Sequence, residues 1–128
     1  VSNYIKKSNI EQEVSILGWA FKKNTNDTRE SPSIYVAGQF LKNDFKINIY
    51  DPKVKQDQII VDLLSIGFKS DQLNKKIKFY NSLDHIIDEK LPILIMTEWD
   101  EFKKINNKIS SVFDFRNILD KANVTYRF

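Results

Sequence analysis

Val14-Ser15-Ile16-Leu17-Gly18 is a short apolar run closed by a glycine, and the chain turns abruptly polar from Lys22 to Ser33. That pattern reads as a strand delivering the chain into a long loop. Ser31-Pro32 then supplies a helix start, because a serine oxygen can accept from the free N–H groups of the first turn and proline suits a position that needs no donor. The predicted helix covers residues 32–42. Within it Val36 and Phe40, and Ala37 and Leu41, stand four apart and form one apolar stripe suited to packing on a sheet. Lys46-Ile47-Asn48-Ile49-Tyr50 alternates polar and apolar residues up to Asp51-Pro52, which marks a second strand.

The same grammar continues. Ile59 with Leu63, and Ile60 with Leu64, mark a helix that stops at Gly67. A strand follows from Ile77 to Tyr80, and Ser82 caps a short helix from Leu83 to Glu89. Pro92 introduces Ile93-Leu94-Ile95-Met96, whose lack of alternation predicts a strand buried on both faces. Thr97 is predicted to cap a helix through Phe102, and the stretches from Ser111 to Phe115 and from Val124 to Phe128 read as final strands. Strands alternating with helices require crossover connections, so the expected fold is α/β: a Rossmann-like three-layer sandwich with a mainly parallel sheet, in a single domain. Residues 1–13 read as a connecting arm or helix end and residues 14–128 as the domain proper.

The totals agree with a packed domain. The chain has 128 residues, 41% of them hydrophobic and 29% charged, which suits one soluble core and excludes a disordered or fibrous chain. The net charge of +3 arises from 20 basic and 17 acidic residues mixed along the chain, so no basic stripe points to nucleic acid. The densest run, Asn74-Lys75-Lys76-Ile77-Lys78, reads as a solvated turn. With no cysteine, disulfides, thiolate-bound metal and a thiol nucleophile within these residues are excluded. No apolar stretch approaches a membrane span and no signal-peptide layout opens the chain, so the expected location is cytoplasmic.

Ligands of open parallel sheets bind beyond the carboxyl ends of the strands, which directs attention to the loops after Leu17, Tyr50, Met96 and Phe115. A dinucleotide site would show three spaced glycines after the first strand, whereas here the chain reads Gly18-Trp19-Ala20-Phe21-Lys22. Asp51 holds the position that binds ribose in such sites, and without the glycines it reads as a turn residue before Pro52. The loop Phe21-Lys22-Lys23-Asn24-Thr25-Asn26-Asp27-Thr28-Arg29-Glu30-Ser31-Pro32 is long, since ~2–6 residues is usual for such a connection. It reads either as a solvated loop in which Thr25, Asp27 and Thr28 bond to their own backbone, or as a functional one. His85 is remote from every motif and reads as structural or exposed, and no spacing suggests a metal site.

Four fragments in order carry a resemblance: the loop from Phe21 to Pro32, Tyr50-Asp51-Pro52-Lys53-Val54, Thr97-Glu98-Trp99-Asp100-Glu101-Phe102, and Phe113-Asp114-Phe115-Arg116-Asn117. Together they resemble the UDP-binding domain of the UDP-glucose and GDP-mannose dehydrogenase family, and the Thr-Glu-Trp-Asp run points to its UDP-glucose branch. The resemblance implies an enzyme that oxidises the C6 alcohol of UDP-glucose to UDP-glucuronate in two NAD-dependent steps. It implies that NAD and a catalytic cysteine belong to an N-terminal domain, that residues 14–128 bind the UDP-sugar, and that the full-length enzyme is a homo-oligomer. Carried over by position, Phe21, Lys22 and Arg116 would bind the UDP-sugar and Arg29 would touch NAD, while the 128 residues alone would be inactive.

The chemistry suits those roles. A diphosphate needs fixed positive charge, which Arg116 offers as a planar fork and Lys22 as a point charge, and Phe21 can form an apolar wall or join the core. Where the family usually has Gly between the Asp and the Arg of the last motif, this chain has Phe115, so a ligand-free assembly domain is an alternative. A receiver-like signalling module phosphorylated on Asp51 is another, although Gly18-Trp19 lacks the acidic pair such a site needs for Mg²⁺.

Overall fold

The computed structural model describes residues 12–108 and 110–127, so the arm expected at 1–13 lies outside the described residues apart from Gln12 and Glu13. Glu13 already belongs to the first strand, β1 (Glu13–Leu17), where it pairs with Lys46 one residue ahead of the expected start. There follow α1 (Pro32–Lys42), β2 (Lys46–Tyr50), α2 (Gln56–Ser65), α3 (Ser70–Lys76), β3 (Ile77–Phe79), α4 (Leu83–Ile87) and β4 (Ile93–Ile95). A 3₁₀ turn (Asp100–Lys104), β5 (Val112–Asp114), a second 3₁₀ turn (Lys121–Asn123) and β6 (Tyr126–Arg127) complete the order.

The six strands form one sheet in the order β3-β2-β1-β4-β5-β6, and every pairing is parallel. The chain therefore builds outward from β1 to β3, returns, and builds outward again from β4 to β6. All residues of β4 and β5 are buried, and because successive side chains face opposite sides, both faces of the sheet are covered. This is the Rossmann-like α/β layout expected from the alternation of elements. Its strand order reverses between β1 and β4, which places a crevice-forming edge at the ends of those two strands.

Local chemistry explains the elements that matter for that edge. The Ser31 hydroxyl accepts from the Ser33 N–H at 3.3 Å and Pro32 follows it, so α1 starts where expected. The inner face of α1 is centred on Ile34, Ala37 and Phe40, with Val36 and Leu41 as half-buried flanks. Burying side chains such as Ile34 and Phe40 stabilises by roughly 1.5–3 kcal/mol each. In α2, Ile59 and Leu63 face inward while Leu64 is exposed, and Gly67 ends the segment with φ of 107°.

Three expectations are corrected. Lys75 and Lys76 form the last turn of α3, and Ile77 and Lys78 belong to β3, so the basic run is not a turn. Its cations sit where a helix end favours positive charge. Thr97 caps no helix: its hydroxyl donates to the Ala20 carbonyl at 2.7 Å, and Trp99 stands at the head of the following 3₁₀ turn. The helix after Ser82 is real, with the Ser82 hydroxyl accepting from the His85 N–H at 3.2 Å, but it stops at Ile87.

Candidate functional site

The loop after β1 is organised by a carboxylate. Asp51, at the end of β2 and buried, accepts through Oδ2 from the Trp19 N–H (2.7 Å), the Ala20 N–H (3.0 Å) and the Trp99 indole N–H (3.1 Å). Through Oδ1 it accepts from the Lys53 and Val54 N–H groups at 2.8 and 3.0 Å. Sequence reasoning placed Asp51 in a turn; the structure makes it the tie between the ends of β1, β2 and β4. Both oxygens are engaged inside the fold, which speaks against a phosphoryl-accepting role.

Gly18 closes the same junction. Its φ is 98°, and a Cβ there would stand 2.4 Å from the Thr97 side chain. The Ser33 hydroxyl donates to the Gly18 carbonyl at 2.8 Å, fixing the start of α1 to the end of β1. A dinucleotide pyrophosphate relies on free N–H groups and open space at this turn. Here Trp19 and Ala20 give their N–H groups to Asp51 and Thr97 fills the space beside Gly18, so the turn does not fit that group.

Beyond Ala20 the polar loop folds on itself. The Phe21 N–H donates to the Asp27 carbonyl at 2.9 Å, and the Asp27 N–H donates to the Thr25 hydroxyl at 3.1 Å. Thr28 is buried, and its carbonyl accepts from the Ser31 N–H at 3.1 Å. Arg29 is 88% exposed and donates through Nε and Nη2 to the Asp27 carboxylate at 3.0 and 2.8 Å. That guanidinium, helped by the Arg29 N–H, lowers the Asp27 carboxyl from its ordinary 3.8 to about 2. Phe21 is 37% exposed, so it is not part of the core, and the Lys22 ammonium lies over its ring at 5.4 Å. Lys22 makes no ion pair among the described residues.

Arg116 reaches the same edge from the turn after β5. The buried Asp114 carboxylate accepts from the N–H groups of Arg116 (3.0 Å), Ile118 (2.8 Å) and Leu119 (2.9 Å), which winds that turn tightly. The left-handed residue of the turn is Asn117, at φ of 59°, and not Phe115. Phe115 packs half-buried against the core and donates its N–H to the Ile95 carbonyl at 3.1 Å, so replacing the usual glycine introduces no backbone strain here.

Glu98, in the loop after β4, joins the two sides. One oxygen accepts from the Arg116 Nη2 at 2.9 Å, and the other accepts from the Lys23 N–H at 3.1 Å. Burial opposes ionisation of Glu98, but its own N–H, the Arg116 charge and the Lys23 N–H outweigh that and hold its carboxyl below the ordinary range. The structure thus brings the Phe21–Lys22 segment and Arg116 to one edge, with Arg29 farther along the same loop. Glu98 stands in the Thr97–Phe102 run, but sequence reasoning gave it no site role, because that run holds three acidic residues and nothing local separates Glu98 from Asp100 and Glu101.

Two shallow clefts open nearby, one of about 430 Å³ bordered by Tyr50, Lys53, Lys55 and Tyr80, the other of about 480 Å³ bordered by Asn24, Thr25, Asn26 and Lys53. Neither is bordered by Arg116. Burial, and the Glu101 carboxylate to which the Tyr50 hydroxyl donates a hydrogen bond, push Tyr50 above the ordinary phenol range. Among the described residues no three His, Asp or Glu side chains gather as a metal site, and no helix is long and apolar enough to cross a membrane.

Comparison with known proteins accords with this geometry. The signature of the UDP-glucose/GDP-mannose dehydrogenase family, UDP binding domain, matches residues 15–121. UDP-glucose 6-dehydrogenase of Gallus gallus is 38% identical over 119 residues, covering 86% of this chain and 24% of the relative. UDP-glucose 6-dehydrogenase 1 of Arabidopsis thaliana is 32% identical over 128 residues, covering 85% of this chain and 27% of the relative. The chain thus spans about a quarter of the length of these curated relatives. Among solved structures, a UDP-glucose dehydrogenase from Pyrobaculum islandicum superposes with a TM-score of 0.73 at 21% identity, over 96% of this chain and 26% of that one. A GDP-mannose dehydrogenase from Pseudomonas aeruginosa shares the fold with a TM-score of 0.66 at 16% identity, over 96% of this chain and 29% of that one. With its sequence signature, its parallel sheet and its tied loops in agreement, the chain belongs to the UDP-glucose/GDP-mannose dehydrogenase family and is a UDP-binding domain of it.

Proposed function

We propose that this chain binds the UDP-sugar within an NAD-dependent UDP-glucose 6-dehydrogenase that converts UDP-glucose to UDP-glucuronate in the cytoplasm as a homo-oligomer. The carrying observation is the junction at Glu98, which sets the loops bearing Lys22 and Arg116 side by side where the strand order reverses. Lys22 supplies a point charge and Arg116 a planar set of donors, a combination that suits the two phosphates of a nucleoside diphosphate. Phe21, half exposed beside Lys22, offers an apolar wall to the base or the sugar.

The division of labour follows from the residues present. The β1 turn does not fit a dinucleotide, and the chain has no cysteine to act as a nucleophile. Hydride transfer and covalent chemistry therefore belong to an NAD-binding partner domain. Arg29, exposed and braced by Asp27, is the residue that reaches across to NAD.

Titrating the chain with UDP and with UDP-glucose, while following the amide signals of Lys22 and Arg116, tests the reading. Both signals are expected to shift, and Lys22→Ala or Arg116→Ala is expected to weaken binding by roughly tenfold, as charge-assisted contacts do. Silence at both amides with millimolar ligand would leave a ligand-free assembly domain in place of a binding one.

A further inference from the structure

We propose that Glu98 is a positioning residue of the UDP site: it sets Arg116 and the Lys22–Lys23 segment as one surface before a ligand arrives. This inference rests on the binding role proposed for Lys22 and Arg116. Three observations carry it. First, Glu98 spends its two oxygens on two different loops, Oε2 on the Arg116 guanidinium at 2.9 Å and Oε1 on the Lys23 N–H at 3.1 Å. Second, the pair is largely sheltered from solvent, with side-chain exposures of 29% for Arg116 and 26% for Glu98, so it is screened less than a surface ion pair. Third, the neighbouring cation is already committed elsewhere: the Lys23 ammonium faces Asp100 at 3.6 Å, and Lys103 faces the same carboxylate at 3.2 Å.

The consequence is a division among the cations. Lys23 serves the scaffold through its backbone and through Asp100, while Lys22 lies over the Phe21 ring and makes no ion pair among the described residues. Arg116 uses one nitrogen on Glu98, and a guanidinium has five N–H donors in a fixed fork, so donors remain for a diphosphate. An arginine held in this way has already lost the rotamer freedom that binding would otherwise remove. The carboxylate also opposes a phosphate by its charge, and pre-orientation of Arg116 outweighs this repulsion.

A double-mutant cycle read by UDP affinity separates the possibilities. The chain is titrated with UDP as the parent, as Glu98→Ala, as Arg116→Ala and as the double variant. Glu98→Gln is added because its amide oxygen can still accept from the Lys23 N–H while the charge is removed. Glu98→Ala is expected to weaken UDP binding roughly tenfold in the parent and only about two- to threefold once Arg116 is gone, the remainder being the share carried through the Lys23 N–H to Lys22. Glu98→Gln is expected to weaken it severalfold, with the amide spectrum of the sheet unchanged. Equal losses in both backgrounds, or tighter binding after removal of the carboxylate, overturn the positioning role while leaving the UDP site intact. Failure of the parent to bind UDP overturns both.

Discussion

Asp51 shows how a single side chain can set the character of a binding edge. Its five N–H partners come from the ends of β1, β2 and β4, and the residue is buried. A carboxamide in its place would present an NH₂ group to at least two of those donors whichever way it turned. Asp51→Asn is therefore expected to destabilise the chain by about 2–4 kcal/mol, read from urea unfolding. A loss under about half a kcal/mol would mean that the carboxylate is not holding the three strand ends together. From the sequence, Asp-Pro after an alternating strand announces a turn, but the donors lie up to 48 residues away, and no local pattern encodes them. Lys22 and Arg116 could be selected from motifs; Glu98 could not be selected from charge alone, because its meaning depends on which loops meet.

At the scale of elements, legibility followed the number of apolar residues that an element buries. The limits of α1 were readable because a serine cap, a proline and a two-turn apolar stripe agree. In α3 the only buried residue is Leu73, so periodicity has nothing to repeat and the helix was read through as a turn. Its stability then depends chiefly on Leu73, beside the Lys69 N–H bond to Gln72 and the Lys76–Asp44 ion pair, since a seven-residue helix cannot persist by propensity alone. Leu73→Ala is expected to cost about 2–3 kcal/mol and to raise amide exchange selectively across α3 and the adjoining β3. Uniform acceleration through β1 and β4 would instead show that α3 is part of the cooperative core. The 3₁₀ turn after β4 was misread as capped by Thr97 because a threonine before acidic residues looks the same whether its hydroxyl serves a helix or, as here, the Ala20 carbonyl.

For the molecule as a whole, the alternation of strand and helix was enough to foresee the parallel sheet. The sheet's order was a matter of which strands meet, which periodicity does not record, although the reversal between β1 and β4 is what defines the edge of the proposed site. The chain carries the cations proposed for a diphosphate, Lys22 and Arg116, but no cysteine. Given UDP-glucose and NAD, the 128 residues are expected to produce no NADH above background while still binding UDP. Turnover by them alone would place the reaction centre inside this domain and contradict the proposed division of labour. In dinucleotide-binding domains of this architecture the first turn offers its main-chain N–H groups to a pyrophosphate; here Asp51 takes them. The turn is thus held by the fold's own carboxylate, and in the proposed site recognition passes from the main chain to side chains. Main-chain donors are shared by every sequence, whereas side chains can be exchanged one at a time, so a lineage built on this arrangement can change its choice of sugar nucleotide without rebuilding its frame.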